Sequence, residues 1–245
     1  MRLIEVENYQ EMSEKVCQLM INRITDLTKP VLGLATGSTP ERLYQLLVEV
    51  NQKDVVSFQD VTTFNLDEYI GLEATDPNSY RYYMNDKLFN HIDIPDEQTH
   101  IPNGRADDSE QECARYEALI QQVGGIDIQL LGLGLNGHIG FNEPGTSFKQ
   151  KTHVVELEES TRKANARFFE SIDDVPTHAI TMGINTIMQS KEIMLMVSGE
   201  KKAGALDRLL NGEVTEEFPA SILNEHDHVT IVADKAALLT SSKTK

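Results

Sequence analysis

Three clusters of polar residues in this chain have the types and spacing to do chemistry on a small charged molecule. The densest lies in Ile126 to Phe148, IDIQLLGLGLNGHIGFNEPGTSF. Its opening apolar run, Ile126 to Leu131, reads as a buried strand. Gly132, Gly134, Gly137 and Gly140 follow within nine residues, and glycine that dense marks a tight turn or a close backbone approach to something bound. Asn136, His138, Asn142 and Glu143 then stand just past the strand's C-terminal end, where open α/β sheets bind their ligands. An imidazole accepts and returns a proton near neutral pH, and a nearby carboxylate can fix its tautomer. The second cluster, Asp67-Glu68, supplies paired carboxylates at the end of another apolar run. The third, Thr36-Gly37-Ser38-Thr39-Pro40, is a glycine-containing turn that feeds a helix, and such a turn offers N–H groups and hydroxyls to an anion.

Gly132 to Gly137 also spells GxGxxG, with Glu156 about where a ribose-binding acid would stand. That fingerprint needs a helix to open at its last glycine, because the helix N-terminus holds the pyrophosphate. Gly140, Pro144 and Gly145 follow at once, so no helix starts there and dinucleotide binding is rejected.

The elements that must position these clusters alternate between strand and helix. Leu3 to Val6, Val31 to Ala35, Val61 to Leu66 (running into Asp67-Glu68-Tyr69), Glu192 to Val197 and His228 to Ala233 read as strands, and Thr152 to Leu157 as a partly exposed one. Helical spacing covers Tyr9 to Leu27, Glu41 to Val50, Ser79 to Phe89, Asp108 to Val123, Ser160 to Glu170 and Glu200 to Leu210, the last stopped by Gly212. Thr39 is the expected N-cap of the second helix and Pro40 its first helical residue. This rhythm predicts an α/β fold: a three-layer α/β/α domain around a mostly parallel, doubly wound, Rossmann-like sheet. No internal repeat or low-complexity linker interrupts it, so residues 1–245 are expected to form one domain. In such a sheet the three polar clusters lie along one edge and can converge.

Composition narrows the ligand. The chain has 245 residues, 40% hydrophobic and 25% charged, with a net charge of −17. That charge argues against nucleic acid, whose phosphates require a basic face. Against it, the local excess of cations between residues 149 and 167 stands out: Lys149, Lys151, Arg162, Lys163 and Arg167 against Glu156, Glu158 and Glu159. Lys201 and Lys202 open a helix, where the macrodipole disfavours a cation unless an anion lies near. Both features point to an anionic small molecule. The two cysteines, Cys17 and Cys113, fall in helical patterns and imply no disulfide framework. The N-terminus has no apolar leader and no run approaches a membrane span, so a cytoplasmic protein with no membrane partner is expected.

TGSTP, FNLDEYIGL, GLGLNGHIGFNEPGTSF, TRKANARFF and SGEKKAGAL resemble the glucosamine-6-phosphate deaminases, also called glucosamine-6-phosphate isomerases. The similarity spans about residues 30–235, and FNLDEY together with GHIGFNEPG carries most of its specificity. It implies aldose–ketose isomerisation with deamination, turning glucosamine 6-phosphate and water into fructose 6-phosphate and ammonia. That places the chain in amino-sugar and N-acetylglucosamine catabolism, a branch of carbohydrate metabolism, and makes it a hydrolase or isomerase-type enzyme with no metal and no organic cofactor. The resemblance makes Asp67 the base that takes the C2 proton and His138 the acid/base that opens the ring, with Glu143 beside it. Many members have aspartate where this chain has Asn136. An amide orients an imidazole by hydrogen bonding but brings no charge to it, so Asn136 is carried over as a positioning residue. Gly37, Ser38, Thr39, Arg167 and Lys202 are implied to hold the substrate phosphate, and residues 149–170 to act as a mobile lid. A monomer is expected, because the polar run after the last strand, Thr240 to Lys245, offers little apolar area to a second subunit. A homo-oligomer is the alternative.

Three other readings compete. A 6-phosphogluconolactonase-like hydrolase shares TGSTP and the Gly-His pair but lacks the NEP found here. A non-catalytic sugar-phosphate sensor would carry a helix-turn-helix segment that this pattern has no room for. A zinc deaminase needs H-x-E and P-C-x-x-C ligands, which are absent, and His226-x-His228 does not replace them.

Overall fold

The computed structural model describes residues 1–157, 162, 169 and 171–239. The candidate Arg167 and most of the helix expected over Ser160 to Glu170 lie outside them.

In the described residues, seven strands form one sheet: β1 (Arg2–Val6), β2 (Val31–Leu34), β3 (Thr62–Asn65), β5 (Thr99–His100), β6 (Ile128–Gly132), β9 (Glu192–Val197) and β10 (Val229–Asp234). They lie in the order β1-β10-β9-β6-β2-β3-β5, and every pairing is parallel. Parallel strands are covered on both faces, which is why β2 and β9 read as nearly continuous apolar runs, and why even Gln129 of β6 is buried. Successive residues still face opposite ways. Leu32, Leu34, Ile128, Leu130, Met194 and Met196 pack under α1 (Tyr9–Asp26), α2 (Glu41–Asn51) and α3 (Tyr80–Lys87). Val31, Leu131, Ile193, Leu195 and Val197 pack against α4 (Ser109–Gln122), α5 (Ile184–Met188) and α6 (Ala203–Asn211). The architecture is therefore the three-layer, doubly wound one that the sequence predicts.

The chain runs outward from β2 through β3 to β5 on one side and from β6 through β9 to β10 on the other. The strand order reverses between β2 and β6, and in such sheets that switch point opens a crevice at the strands' C-terminal ends.

Two expectations change. The apolar run ending in Asp67-Glu68-Tyr69 is not one strand. The Leu66 N–H donates to the Leu34 carbonyl (3.0 Å), while the Leu66 carbonyl accepts from the Met182 N–H (2.6 Å). Leu66 thus hands the chain from the main sheet to a second one, where β4 (Asp67–Tyr69) pairs antiparallel with β8 (His178–Thr181). β7 (His153–Glu156), expected as a half-exposed strand, completes that small sheet on the other side of β8. In α2, Pro40 rather than Thr39 is the N-cap; its carbonyl starts the helical ladder by accepting from the Tyr44 N–H, and no side chain caps this end. Thr39 is left one residue outside the helix, at the cavity wall.

Candidate active site

The crevice at the β2/β6 switch point holds a cavity of about 530 Å³. Its walls include Thr36, Gly37 and Thr39 from the turn after β2, Asp67 from β4, Tyr80 from α3, Asn136 and His138 from the loop after β6, and Lys202 from the turn before α6. Residues from all three polar clusters meet there. Ser38 is exposed and does not line the cavity, Glu143 stands behind Asn136, and Arg167 lies outside the described residues.

Asp67 is the first residue after the chain changes sheets, so its side chain points into the crevice rather than into a ladder. It is only 6% exposed. Gly140, in the left-handed region (φ +58°), brings its backbone over it: a β-carbon there would sit 3.7 Å from Asp67 Oδ2. Among the described residues no donor hydrogen-bonds to this carboxyl. Burial, with the Glu68 charge next to it, pushes the Asp67 carboxyl up to about 8. A buried carboxylate without a protein donor is costly, and a perturbed acid facing a cavity is the mark of a functional group.

Glu68, the other half of the predicted pair, has a different task. It points away from the cavity and accepts from the N–H groups of Tyr69 (2.8 Å), Tyr80 (2.9 Å) and Arg81 (2.9 Å). It thereby fixes the start of α3 to β4, and with it the position of Tyr80. Burial raises its carboxyl, and these three donors pull it back.

The loop after β6 builds a relay. Asn136 donates from Nδ2 to Glu143 Oε2 at 2.6 Å, and His138 Nδ1 lies 2.8 Å from Asn136 Oδ1. Because a carboxylate only accepts, the Asn136 amide nitrogen must face Glu143 and its oxygen must face the imidazole. His138 Nδ1 therefore carries the hydrogen, and Nε2 presents its lone pair to accept a proton. Glu143 also approaches the ring, with Oε1 3.6 Å from Nδ1, too long for a hydrogen bond.

The turn after β2 faces the other way. The Gly37 carbonyl accepts from the Tyr83 hydroxyl (2.6 Å) and the Ser38 carbonyl from the Tyr9 hydroxyl (3.0 Å). With its carbonyls drawn back by α1 and α3, the turn keeps its N–H groups for an anion. Opposite, Lys202 Nζ donates to the Leu133 carbonyl at 2.6 Å, and burial lowers its pKa. An anion arriving there restores the charge that burial disfavours.

Sequence reasoning overlooked Tyr80. Its ring lines the cavity and stacks on Phe141 (6.1 Å, 16°), and its hydroxyl donates to that of Tyr69 at 3.3 Å. Only its place one residue after the helix cap Ser79 could have hinted at a fixed position. Of the motif residues outside the cavity, His226 donates from Nε2 to the Ser190 carbonyl (2.8 Å) and serves the far end of the sheet. Among the described residues there is no group of three or more metal-ligating side chains, and no helix is long and apolar enough to cross a membrane. Gly137 has φ +87° and no helix follows it, which removes the dinucleotide fingerprint.

Comparison with known proteins gives the same direction. The family model of glucosamine-6-phosphate isomerases/6-phosphogluconolactonase matches residues 6–232. The glucosamine-6-phosphate deaminase of Oceanobacillus iheyensis is 63% identical, over 97% of this chain and 95% of the relative. Glucosamine-6-phosphate deaminase 1 of Bacillus subtilis is 54% identical, over 97% and 98%. A solved structure of a monomeric glucosamine-6-phosphate deaminase superposes with a TM-score of 0.95 at 54% identity, covering 97% of this chain and 98% of that one. The 6-phosphogluconolactonase of Trypanosoma cruzi, at 20% identity and a TM-score of 0.77 over 96% and 95%, shares the fold. With a match that runs through nearly all of its strands and helices, this chain belongs to the glucosamine-6-phosphate isomerase/6-phosphogluconolactonase family.

Proposed function

We propose that this protein is a glucosamine-6-phosphate deaminase: it isomerises the amino sugar phosphate and releases the amine, giving fructose 6-phosphate and ammonia with consumption of one water. The observation that carries this reading is the pairing, in one cavity, of a buried carboxyl that meets no donor among the described residues and an imidazole hydrogen-bonded through Nδ1, which turns Nε2 to accept. The high identity to deaminases, against about a fifth to lactonases, favours it over lactone hydrolysis.

In this mechanism His138 takes the anomeric hydroxyl proton through Nε2 and returns it to the ring oxygen, opening the ring. Asn136 holds the imidazole's tautomer, and Glu143 stabilises the cation that forms. Asp67 then takes the C2 proton and delivers it to C1 by way of an enolamine. Water adds to the resulting C2 imine, and the C–N bond breaks to release ammonia. The C–N cleavage is hydrolytic although the carbon chemistry is an isomerisation. Gly37 and Thr39 N–H groups, the Thr39 hydroxyl, Lys202 and Arg167 hold the phosphate.

The proposed organisation is one domain with a lid. Residues 150–157 are held at the hinge: Glu117 accepts from the Thr152 N–H (3.0 Å) and hydroxyl (2.6 Å), and Leu157 N–H donates to Thr177 (2.8 Å). The proposed compartment is the cytoplasm, supported by free buried Cys17 and Cys113, and the proposed state in solution is a monomer, supported by the likeness to the monomeric deaminase. The deciding assay measures ammonia and fructose 6-phosphate formed from glucosamine 6-phosphate by chelator-treated protein, with 6-phosphogluconolactone hydrolysis alongside. Lactone hydrolysis without ammonia would overturn the proposal.

A further inference from the structure

Resting on the proposed deamination, we infer that the site takes its amino sugar as the ammonium ion, and that this ammonium displaces a proton from Asp67 as it binds. The substrate amine, in this arrangement, ionises the base that will act on it.

The geometry leaves Asp67 waiting for a cation. Its carboxyl is 94% buried, lines the cavity, and meets no hydrogen-bond donor among the described residues. The charged and titratable groups around it come from several elements. Glu68 and Tyr69 lie on its own strand, Tyr80 on α3 and Tyr116 on α4. Across the cavity stand His138 and Lys202. Neither of these two serves as its counter-ion: the His138 ring is bonded to Asn136, and Lys202 Nζ is bonded to the Leu133 carbonyl. Glu68 adds negative charge from behind and is itself held by three backbone N–H groups.

The reaction then fixes where the missing positive charge goes. To take the C2 proton, an Asp67 oxygen must come within about 3 Å of it. The substrate nitrogen is bonded to that same carbon, so it falls on the order of 4 Å from the carboxylate, inside the range where an opposite charge favours ionisation. Before binding, burial and Glu68 hold a proton on Asp67, with its carboxyl at about 8. The incoming ammonium reverses that balance: Asp67-COOH and R-NH3⁺ become the pair Asp67-COO⁻ and R-NH3⁺, and one proton passes to the buffer. A sugar phosphate lacking the amine leaves Asp67 protonated and the base unarmed. The ketose product lacks it too, so Asp67 regains a proton as product leaves.

The test uses the C1-reduced alditol forms of glucosamine 6-phosphate and of glucose 6-phosphate, which carry the same phosphate and cannot isomerise. Calorimetric titration at pH 7 in buffers of different ionisation enthalpy counts the protons exchanged. The amino alditol should release roughly one-half to one proton more than the plain alditol. Its affinity advantage should also grow as pH rises from about 6 to 8, while the plain alditol gains nothing comparable. In Asp67→Asn the extra proton should vanish. Equal proton counts for the two alditols in the unmodified enzyme, or an excess that survives in Asp67→Asn, would overturn the inference. Ammonia release from glucosamine 6-phosphate by the same preparation separates the two levels: ammonia with equal proton counts sinks only this inference, whereas no ammonia sinks the proposed function and this inference with it.

Discussion

The Gly134 backbone is the seat on which the His138 ring rests. A β-carbon at Gly134 would lie 2.4 Å from His138 Cγ and Nδ1, and the Gly134 N–H donates to the His138 carbonyl at 2.9 Å. Glycine is needed here for space, since any side chain would push the imidazole off Asn136.

Gly134→Ala should therefore lower kcat by about 10²-fold, the usual result of displacing a reacting group by about 1 Å. Binding of the phosphate should hardly change, because the turn after β2 is untouched. Unchanged kcat in the purified, folded variant would show that the ring position is not critical.

Asp67→Asn should cut turnover by about 10²–10⁴-fold, the typical worth of a general base, and should also stabilise the fold in a pH-dependent way. The folded carboxyl at about 8 stands above its ordinary value of 3.8, so the folded protein keeps a proton that the unfolded chain gives up. Its contribution to stability is full below pH 3.8 and is lost as pH rises towards 8, at about 1.4 kcal/mol per pH unit as an upper limit. The asparagine cannot lose that contribution. Urea unfolding at pH 5 and pH 8 should show the variant gaining on the parent at the higher pH; a constant difference would mean the carboxyl is not held protonated.

Much of this was legible in the chain, and the gaps have physical causes. The runs VLGL and EIMLMV declared β2 and β9 because a strand covered on both faces must be apolar throughout. Asp67, His138 and Glu143 stood out as candidates because one strand end or one loop holds each of them. The second sheet was not foreseen: β4 is three residues long and continuous in sequence with β3, and only Leu66's hydrogen bonds to Leu34 and Met182 reveal the change of sheet. Tyr9 and Tyr83 were invisible as supports of the turn after β2, since they lie 29 and 46 residues from the carbonyls they hold. Residue type gave no sign of such long-range pairs.

Asn136→Asp tests whether an amide is required in the relay. Two carboxyl groups at the 2.6 Å that now separates Asn136 Nδ2 from Glu143 Oε2 cannot both ionise, so one proton must be shared between them. The variant should keep appreciable activity at low pH, where that proton is present, and lose it as pH rises and repulsion spreads the pair. Asn136→Leu, which offers His138 no acceptor, should be poor at every pH. A kcat profile for Asn136→Asp that parallels the parent's would refute the shared-proton account.

Tyr83→Phe removes the hydroxyl that holds the Gly37 carbonyl at 2.6 Å and leaves the ring in place against Tyr44. The loss of one such bond costs about 0.5–1.5 kcal/mol, so KM should rise roughly 2- to 12-fold as the turn loosens. kcat should stay within about twofold, because Asp67 and His138 stand on other elements. A fall in kcat at unchanged KM would show that Tyr83 acts on the chemistry and not on the turn.

Lys202 gives the sharpest test of how the phosphate is read. Its Nζ reaches the cavity from the turn before α6 and is anchored by the Leu133 carbonyl at 2.6 Å. A charge-assisted hydrogen bond from it to phosphate is worth about 1.5–3 kcal/mol, so Lys202→Ala should lower kcat/KM for glucosamine 6-phosphate by roughly 10- to 150-fold. Arg167→Ala should do the same if the lid brings its guanidinium to the same anion. Unphosphorylated glucosamine separates phosphate recognition from damage to the loop: a residue that reads only the phosphate leaves the small kcat/KM on glucosamine where it was. Lys202 also ties its turn to Leu133, next to the seat of His138, so a purely structural role would depress both substrates together. Measuring kcat/KM for the pair of substrates in the parent and in Lys202→Ala decides between them, and equal losses on the two would reject Lys202 as the phosphate's partner.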